Sequence, residues 1–147
     1  MSETRSEYVA NLLGGPRSGA GRAEPSARDV RDRIRQGLPY RSLDLVRERL
    51  HLSLPEAAAV LRVPIRTLAR RRIEKKLASD ESDRLYRLAR IAAHAARLLG
   101  TDDQAAAWLR RPNRSLGGES PLEVLDTDSG AREVEDALGR LEHGLVG

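Results

Sequence analysis

Ser53-Leu54-Pro55-Glu56, followed closely by Arg62-Val63-Pro64, leaves this chain one local solution. Ser53 at the N-cap and Glu56 three residues on form a capping box, which satisfies two backbone N–H groups reciprocally and launches a helix through Ala57, Ala58, Ala59, Val60 and Leu61. Arg62-Val63-Pro64 interrupts that helix. A proline's missing N–H costs nothing in a first helical turn, so Pro64 starts another helix through Ile65, Thr67, Leu68 and Ile73. The segment is predicted as helix, short turn, helix.

The rest of the chain agrees with helices. Phe is absent while Ala, Leu and Arg dominate, which disfavours sheets, where β-branched and aromatic residues are enriched. The fold class is predicted all-α. Val30 and Ile34, with Gly37 as a stop, mark one short helix, and Leu43, Val46 and Leu50 mark the apolar face of a second. Ser79 is the expected N-cap of a long helix with Asp80, Glu81 and Asp83 in its first turn. Its predicted buried stripe is Leu85, Leu88, Ala92, Ala95, Ala96 and Leu99, and Gly100 ends it, so it reads as a central beam. Arg84, Arg87, Arg90 and Arg97 read as its solvated face, with contact to DNA phosphates as the alternative. Thr101-Asp102-Asp103-Gln104 is a second capping box, opening a helix whose Trp108 is the expected core anchor. Pro112 and the Gly117-Gly118 pair force a sharp turn, after which Ala131, Val134, Leu138, Leu141 and Leu145 form the stripe of a terminal helix. Before Ser26, Gly14-Gly15-Pro16, Ser18-Gly19, Gly21 and Pro25 surround one apolar cluster, Tyr8, Val9, Leu12 and Leu13. Residues 1–27 are therefore expected to form a disordered arm.

Several function classes are excluded. With no Cys among its 147 residues, the chain has neither disulfides nor a thiolate metal site, and a reducing cytoplasm is the expected compartment. Met1-Ser2-Glu3-Thr4-Arg5-Ser6-Glu7 lacks the pattern of an export signal. The longest apolar run, Ala57 to Leu61, cannot span a bilayer, so no membrane role is expected. His51, His94 and His143 lie at no metal-ligand spacing, and neither a nucleophile elbow nor a phosphate-binding loop occurs. No catalytic residue, cofactor, metal or small-molecule substrate is expected, and the chain is not read as an enzyme.

Charge points to two binding surfaces. Around the second helix of the motif, Arg62, Arg66, Arg70, Arg71, Arg72, Lys75 and Lys76 face only Glu74. Such a helix fits the major groove of B-form DNA, with its N-terminal residues on base edges and flanking cations on phosphates. Arg62, Arg66, Thr67, Arg70, Arg71 and Lys75 are the candidate DNA-binding residues, with Arg66, Thr67 and Arg70 on one side of the helix. One short helix covers too few base pairs for specific affinity, so a homodimer is expected, joined through the apolar helices before Ser53. From Gly117 onward the balance reverses. Glu119, Glu123, Asp126, Asp128, Glu133, Glu135, Asp136 and Glu142 stand against Arg132 and Arg140 alone, which suits a protein partner.

The C-terminal block resembles the toxin-binding domain of the Xre/MbcA/ParS antitoxin family, the partners of RES-domain toxins. The resemblance is carried by Trp108-Leu109, Pro112-Asn113, Leu116-Gly117-Gly118, Pro121-Leu122-Glu123, Leu125-Asp126-Thr127, Gly130-Ala131, Val134-Glu135, Leu138-Gly139-Arg140 and Glu142-His143-Gly144. Thr67-Leu68-Ala69-Arg70-Arg71 and Ser82-Asp83-Arg84-Leu85 are similar to the family's Xre-like half. The likeness implies an Xre-like helix-turn-helix bundle over 28–78 and a small helical toxin-binding domain over 79–147. It implies a non-enzymatic antitoxin that neutralises a RES-domain toxin, which consumes NAD or transfers ADP-ribose, and that represses its own operon at operator DNA. The alternative is a helix-turn-helix transcriptional regulator whose C-terminal half only oligomerises. The expected toxin-binding residues are Asn113, Leu116, Glu135, Asp136, Arg140, Glu142, His143, Gly144, Leu145, Val146 and Gly147. Within this set, the acids and the free carboxylate at Gly147 are expected to plug the basic substrate cleft of the toxin, anchored by Leu138, Leu141 and Leu145; the alternative is that Val134, Leu138 and Leu141 turn inward and the helix completes the chain's own core.

Overall fold

The computed structural model describes residues 26–144. The expected arm lies outside these residues except for Ser26 and Ala27, as do Leu145, Val146 and Gly147. Among the described residues every regular element is helical: α1 (Ala27–Gln36), α2 (Tyr40–Leu50), α3 (Leu54–Leu61), α4 (Ile65–Glu74), α5 (Ser79–Leu99), α6 (Asp102–Arg110), a 3₁₀ turn (Arg114–Leu116), α7 (Pro121–Val124) and α8 (Asp128–Glu142). An isolated antiparallel bridge pairs Pro39 with Lys76 and ties the start of α2 to the end of α4.

Local chemistry sets the helix starts. Both halves of the Ser53 box form, Glu56 Oε1 accepting the Ser53 N–H at 2.9 Å and Ser53 Oγ accepting the Glu56 N–H at 3.2 Å. Ser26 and Asp29 form another at the head of α1, and Ser120 and Glu123 a third that starts α7, an element absent from the sequence reading. Two expected caps are corrected. The N-cap of α5 is Ala78 rather than Ser79, because the Glu81 carboxylate reaches back to the Ala78 N–H at 2.8 Å. At α6, Thr101 Oγ1 accepts the Gln104 N–H at 3.1 Å, but the Gln104 side chain takes the Thr101 hydroxyl instead of the backbone N–H, so only half the box exists.

The beam is real. α5 packs against α1, α2 and α3 on one side of the sequence and α6 and α8 on the other. Glu81, Ser82, Leu85, Leu88, Ala89, Ile91, Ala92, Ala93 and Ala95 are all buried, while Ala96 and Leu99 are half-buried. Full burial of each Leu or Ile contributes about 2 kcal/mol, and the alanines let neighbouring helices approach closely. Trp108 is half-buried at the edge of this core, and its neighbour Leu109 takes the buried position, because Ala105, Ala106 and Leu109 form the inward face of α6.

Enclosure on several sides changes the fate of the α5 arginines, which are not a solvated face. Arg84 donates to the Leu61 carbonyl at 3.2 Å, and Arg87 to the Leu125 carbonyl at 3.3 Å and Asp128 at 3.5 Å. Arg90 meets Glu135 at 2.6 Å, and His94 Nε2 lies 3.3 Å from Glu142. Only Arg97 of the four stays exposed. Asp128, Glu135 and Glu142 recur every seven residues, and their partners rise with them along α5, so the two helices run in the same direction. Seating α8 requires glycine at 130: a Cβ there would stand 1.7 Å from the Val124 carbonyl oxygen.

Candidate nucleic-acid interface and partner-binding surface

The turn between α3 and α4 is closed by Arg62, whose left-handed backbone (φ 59°) lets its N–H bond the Ala58 and Ala59 carbonyls. That conformation ends α3 as a glycine ordinarily would. α4 then buries a single residue, Leu68, at the centre of its inner side. At about 100° per residue, Arg66 and Arg70 stand roughly 160° and 200° round from Leu68, so both project directly outward. Both are exposed, as are Arg62, Arg72 and Lys75. Thr67 is half-buried on the flank, turned about 100° from Leu68 on the side away from Ala69. Ile73 is 82% exposed.

Arg71 behaves differently from the rest of the basic set. Its Nε and Nη2 clasp the Glu81 carboxylate at 2.8 and 3.0 Å, and Nη1 meets Glu74 at 3.1 Å. Glu81 is 2% exposed. Burial pushes its carboxyl up, but the hydrogen bonds from Arg71 and from the Ala78 N–H outweigh burial and hold it below the usual carboxylate range. The pair fixes the angle between α4 and the beam, so Arg71 positions the basic helix rather than extending its outward face. The one local clue is that Glu81 stands in the first turn of α5, where the helix dipole alone also accounts for an acid.

The C-terminal surface is smaller than the acid count suggested. Asn113 organises the turn after Pro112: its Oδ1 accepts the Ser115 N–H at 2.9 Å, its N–H donates to the Glu119 carbonyl at 2.9 Å, and its carbonyl accepts the Gly118 N–H at 3.0 Å. Gly117 (φ 71°) and Gly118 (φ 91°) supply the left-handed turn read from the sequence. Leu116 is 5% exposed and packs inward beneath α8, so it shapes this turn from inside. In α8, Ala131, Val134 and Leu138 are buried, whereas Leu141 is 44% exposed. Leu138 therefore serves the core of this chain and is not free to anchor the helix in a partner's groove. Glu135 and Glu142 are engaged with α5, Arg140 is half-buried, and Asp136, His143 and Gly144 are exposed. The structure thus gathers Asp136, Leu141, His143 and Gly144 at the open side and end of α8, with Asn113 in the turn; Leu145, Val146 and Gly147 lie outside the described residues.

Arg110 joins the two halves. It donates to the Leu50 carbonyl at 2.8 Å, to the His51 carbonyl, and to Glu56 at 2.9 Å. His51 Nε2 also lies 2.8 Å from Asp103. Neither cluster resembles a reaction centre. Among the described residues no group of His, Asp and Glu could hold a metal, and no helix is long and apolar enough to cross a membrane.

These features define a class: a helix-turn-helix protein whose basic helix stands clear of the core, coupled to a helical half built for partner binding. Residues 29–90 match the antitoxin Xre-like helix-turn-helix domain, and residues 94–144 match the antitoxin Xre/MbcA/ParS C-terminal toxin-binding domain. Antitoxin Xre of Photorhabdus laumondii is 37% identical over 115 residues, covering 77% of this chain and 78% of that protein. Antitoxin Xre of Yersinia enterocolitica is 39% identical over 121 residues, 78% of each chain. A more distant relative, the Prs ADP-ribosylating antitoxin of a Sphingobium strain, is 27% identical over 77 residues, 46% of this chain and 48% of that one. The chain belongs to the Xre antitoxin family. Its two matched domains bind and regulate, and neither is catalytic.

Proposed function

We propose that this chain neutralises a RES-domain toxin that consumes NAD or transfers ADP-ribose, and that as a cytoplasmic homodimer it represses its own operon by binding operator DNA. The observation that carries the proposal is the contrast in how the two charged helices are used. α4 holds one buried residue and turns Arg66 and Arg70 outward, while α8 is seated on α5 and leaves Asp136, Leu141, His143 and Gly144 accessible. The first suits a major groove and the second suits a protein cleft. The name of the Sphingobium relative joins an antitoxin to ADP-ribosylation, which supports a toxin acting on an ADP-ribose donor.

On this reading Arg62, Arg66, Thr67, Arg70 and Lys75 contact DNA, with Arg71 holding them in place. Asn113, Asp136, Arg140, Glu142, His143 and Gly144 to Gly147 contact the toxin, with Leu116 and Glu135 supporting that surface from within. The test is co-expression with a RES-domain toxin encoded beside this gene, reading growth and cellular NAD. The full chain is expected to protect both. Removing Gly144 to Gly147 should leave folding and DNA binding intact and weaken protection, because four terminal residues contribute little to a core. Full protection by the truncated chain would move the inhibitory contact to the Trp108 to Asp126 surface.

A further inference from the structure

The outward face of α4 is not wholly charged. Ile65, Ala69 and Ile73 recur every four residues, and at about 100° per residue they stand roughly 60°, 100° and 140° round from Leu68. They form a ridge that winds into the centre of the exposed face, with Arg66 and Arg70 along one edge and Arg72 along the other. Ile65 is 46% and Ile73 82% exposed. Among the described residues the large exposed hydrophobics are Ile65, Ile73 and Leu141, so two of three fall on one short helix. Among the described residues nothing covers Ile73, and Ile65 is only partly covered, while guanidinium groups border both.

The partner that covers such a ridge must be anionic at its margins and apolar along its middle. A second copy of α4 fails the first condition, since it would set arginine against arginine. The major groove of DNA meets both, with phosphates along its walls and thymine C5-methyl groups projecting from its floor. Resting on the DNA-binding reading above, we propose that Ile65, Ala69 and Ile73 read thymine methyl groups, so that the operator half-site carries thymines beside the bases that Arg66 and Arg70 contact. A ten-residue helix is about 15 Å long, enough to pass several base pairs when it lies along the groove.

The test uses the full chain and a duplex selected by it from a randomised pool, with each thymine replaced in turn by deoxyuridine. That exchange removes the methyl group and leaves every hydrogen-bonding group in place. Losing one buried methyl is expected to weaken binding about three- to five-fold at one or more thymines, from about 0.8 kcal/mol per buried carbon. Ile65→Ala and Ile73→Ala, at exposed positions that leave the core untouched, should each abolish the uracil effect at one such thymine. Equal affinity for thymine and uracil duplexes at every position overturns the proposal, as does a selected half-site without thymine. If Ile73→Ala lowers the mass seen by light scattering while uracil sensitivity persists unchanged, the ridge joins subunits and the proposal falls. If no duplex is retained at any sequence, the DNA-binding reading itself fails first.

Discussion

Helix α4 and helix α8 carry opposite charges and look equally amphipathic in sequence, yet the fold uses them in opposite ways. α4 commits Leu68 and Arg71 to the protein, holds Thr67 half-buried on its flank and leaves Arg66, Arg70, Arg72 and Ile73 outward. α8 commits Gly130, Ala131, Val134, Ala137 and Leu138 to the core and spends Asp128, Glu135 and Glu142 on α5. The difference lies in the facing helix. α5 presents Arg87, Arg90 and His94 to α8, so three acids find partners within the chain, whereas toward α4 it offers Glu81 alone. A helix's own charge does not say whether it faces a partner until the complement on its neighbour has been counted.

The largest test of this contrast is Leu138→Ala against Leu141→Ala, one turn apart on α8. The first should cost about 3 kcal/mol in urea unfolding because it leaves a cavity beside α5. The second should change stability by under about 0.5 kcal/mol and weaken toxin binding instead. Equal destabilisation would show that α8 has no outward face. On α4 the matching pair is Arg71→Ala and Arg70→Ala. Stranding buried Glu81 should cost about 3 kcal/mol of stability. Arg70→Ala should leave the melt unchanged and weaken binding to the selected duplex by about 1 to 3 kcal/mol. A melt that drops alike for both would erase the distinction between positioning and contact.

Acid should expose the same asymmetry more gently. The folded-state pKa values of Glu81 and Glu56 lie below their ordinary values: burial raises each, but hydrogen bonds from Arg71 and Ala78, and from Ser53 and Arg110, outweigh it and bring them down. The unfolded chain therefore takes up protons first as pH falls. The stabilisation is present above the usual glutamate pKa of about 4.3 and is lost as pH drops through the folded values. Stability measured by circular dichroism should fall across that window, and Glu81→Gln should flatten the slope. The smallest effect belongs to Arg62→Gly. Relief of the left-handed backbone should raise stability by about 1 kcal/mol, while the missing cation lowers the salt dependence of DNA binding by about one unit of slope.

Helix positions were legible because their signals are local. The Ser53 box, Pro64, Gly100, Pro112 and Gly117-Gly118 act within a turn of where they stand, and the all-α fold follows from them. Arg66 and Arg70 were legible too, since helical period alone sets them opposite Leu68. What stayed hidden depended on residues far apart in the chain. Nothing near Arg71 announces that Glu81 will clasp it, and nothing near Glu135 announces Arg90. Trp108 was assigned the core on size, but the packing of α6 gave that place to Leu109. Leu116 was read as contact surface, although its position beneath α8 makes it a support. The Leu138 and Leu141 split was undecidable from a stripe that fits both, and only the seat of α8 on α5 resolves it.

The two family matches, 29–90 and 94–144, both draw on α5, which spans Ser79–Leu99. No loop separates them at that point; a cut between residues 90 and 94 would sever a continuous helix and strip Leu85, Leu88 and Ile91 of one set of neighbours. Neither fragment would retain a complete interior, so the chain should melt as one cooperative unit, in a single calorimetric transition whose van't Hoff and calorimetric enthalpies agree. A protein that answers to nucleic acid through one half and to a toxin through the other would then have no way to unfold one response and keep the other.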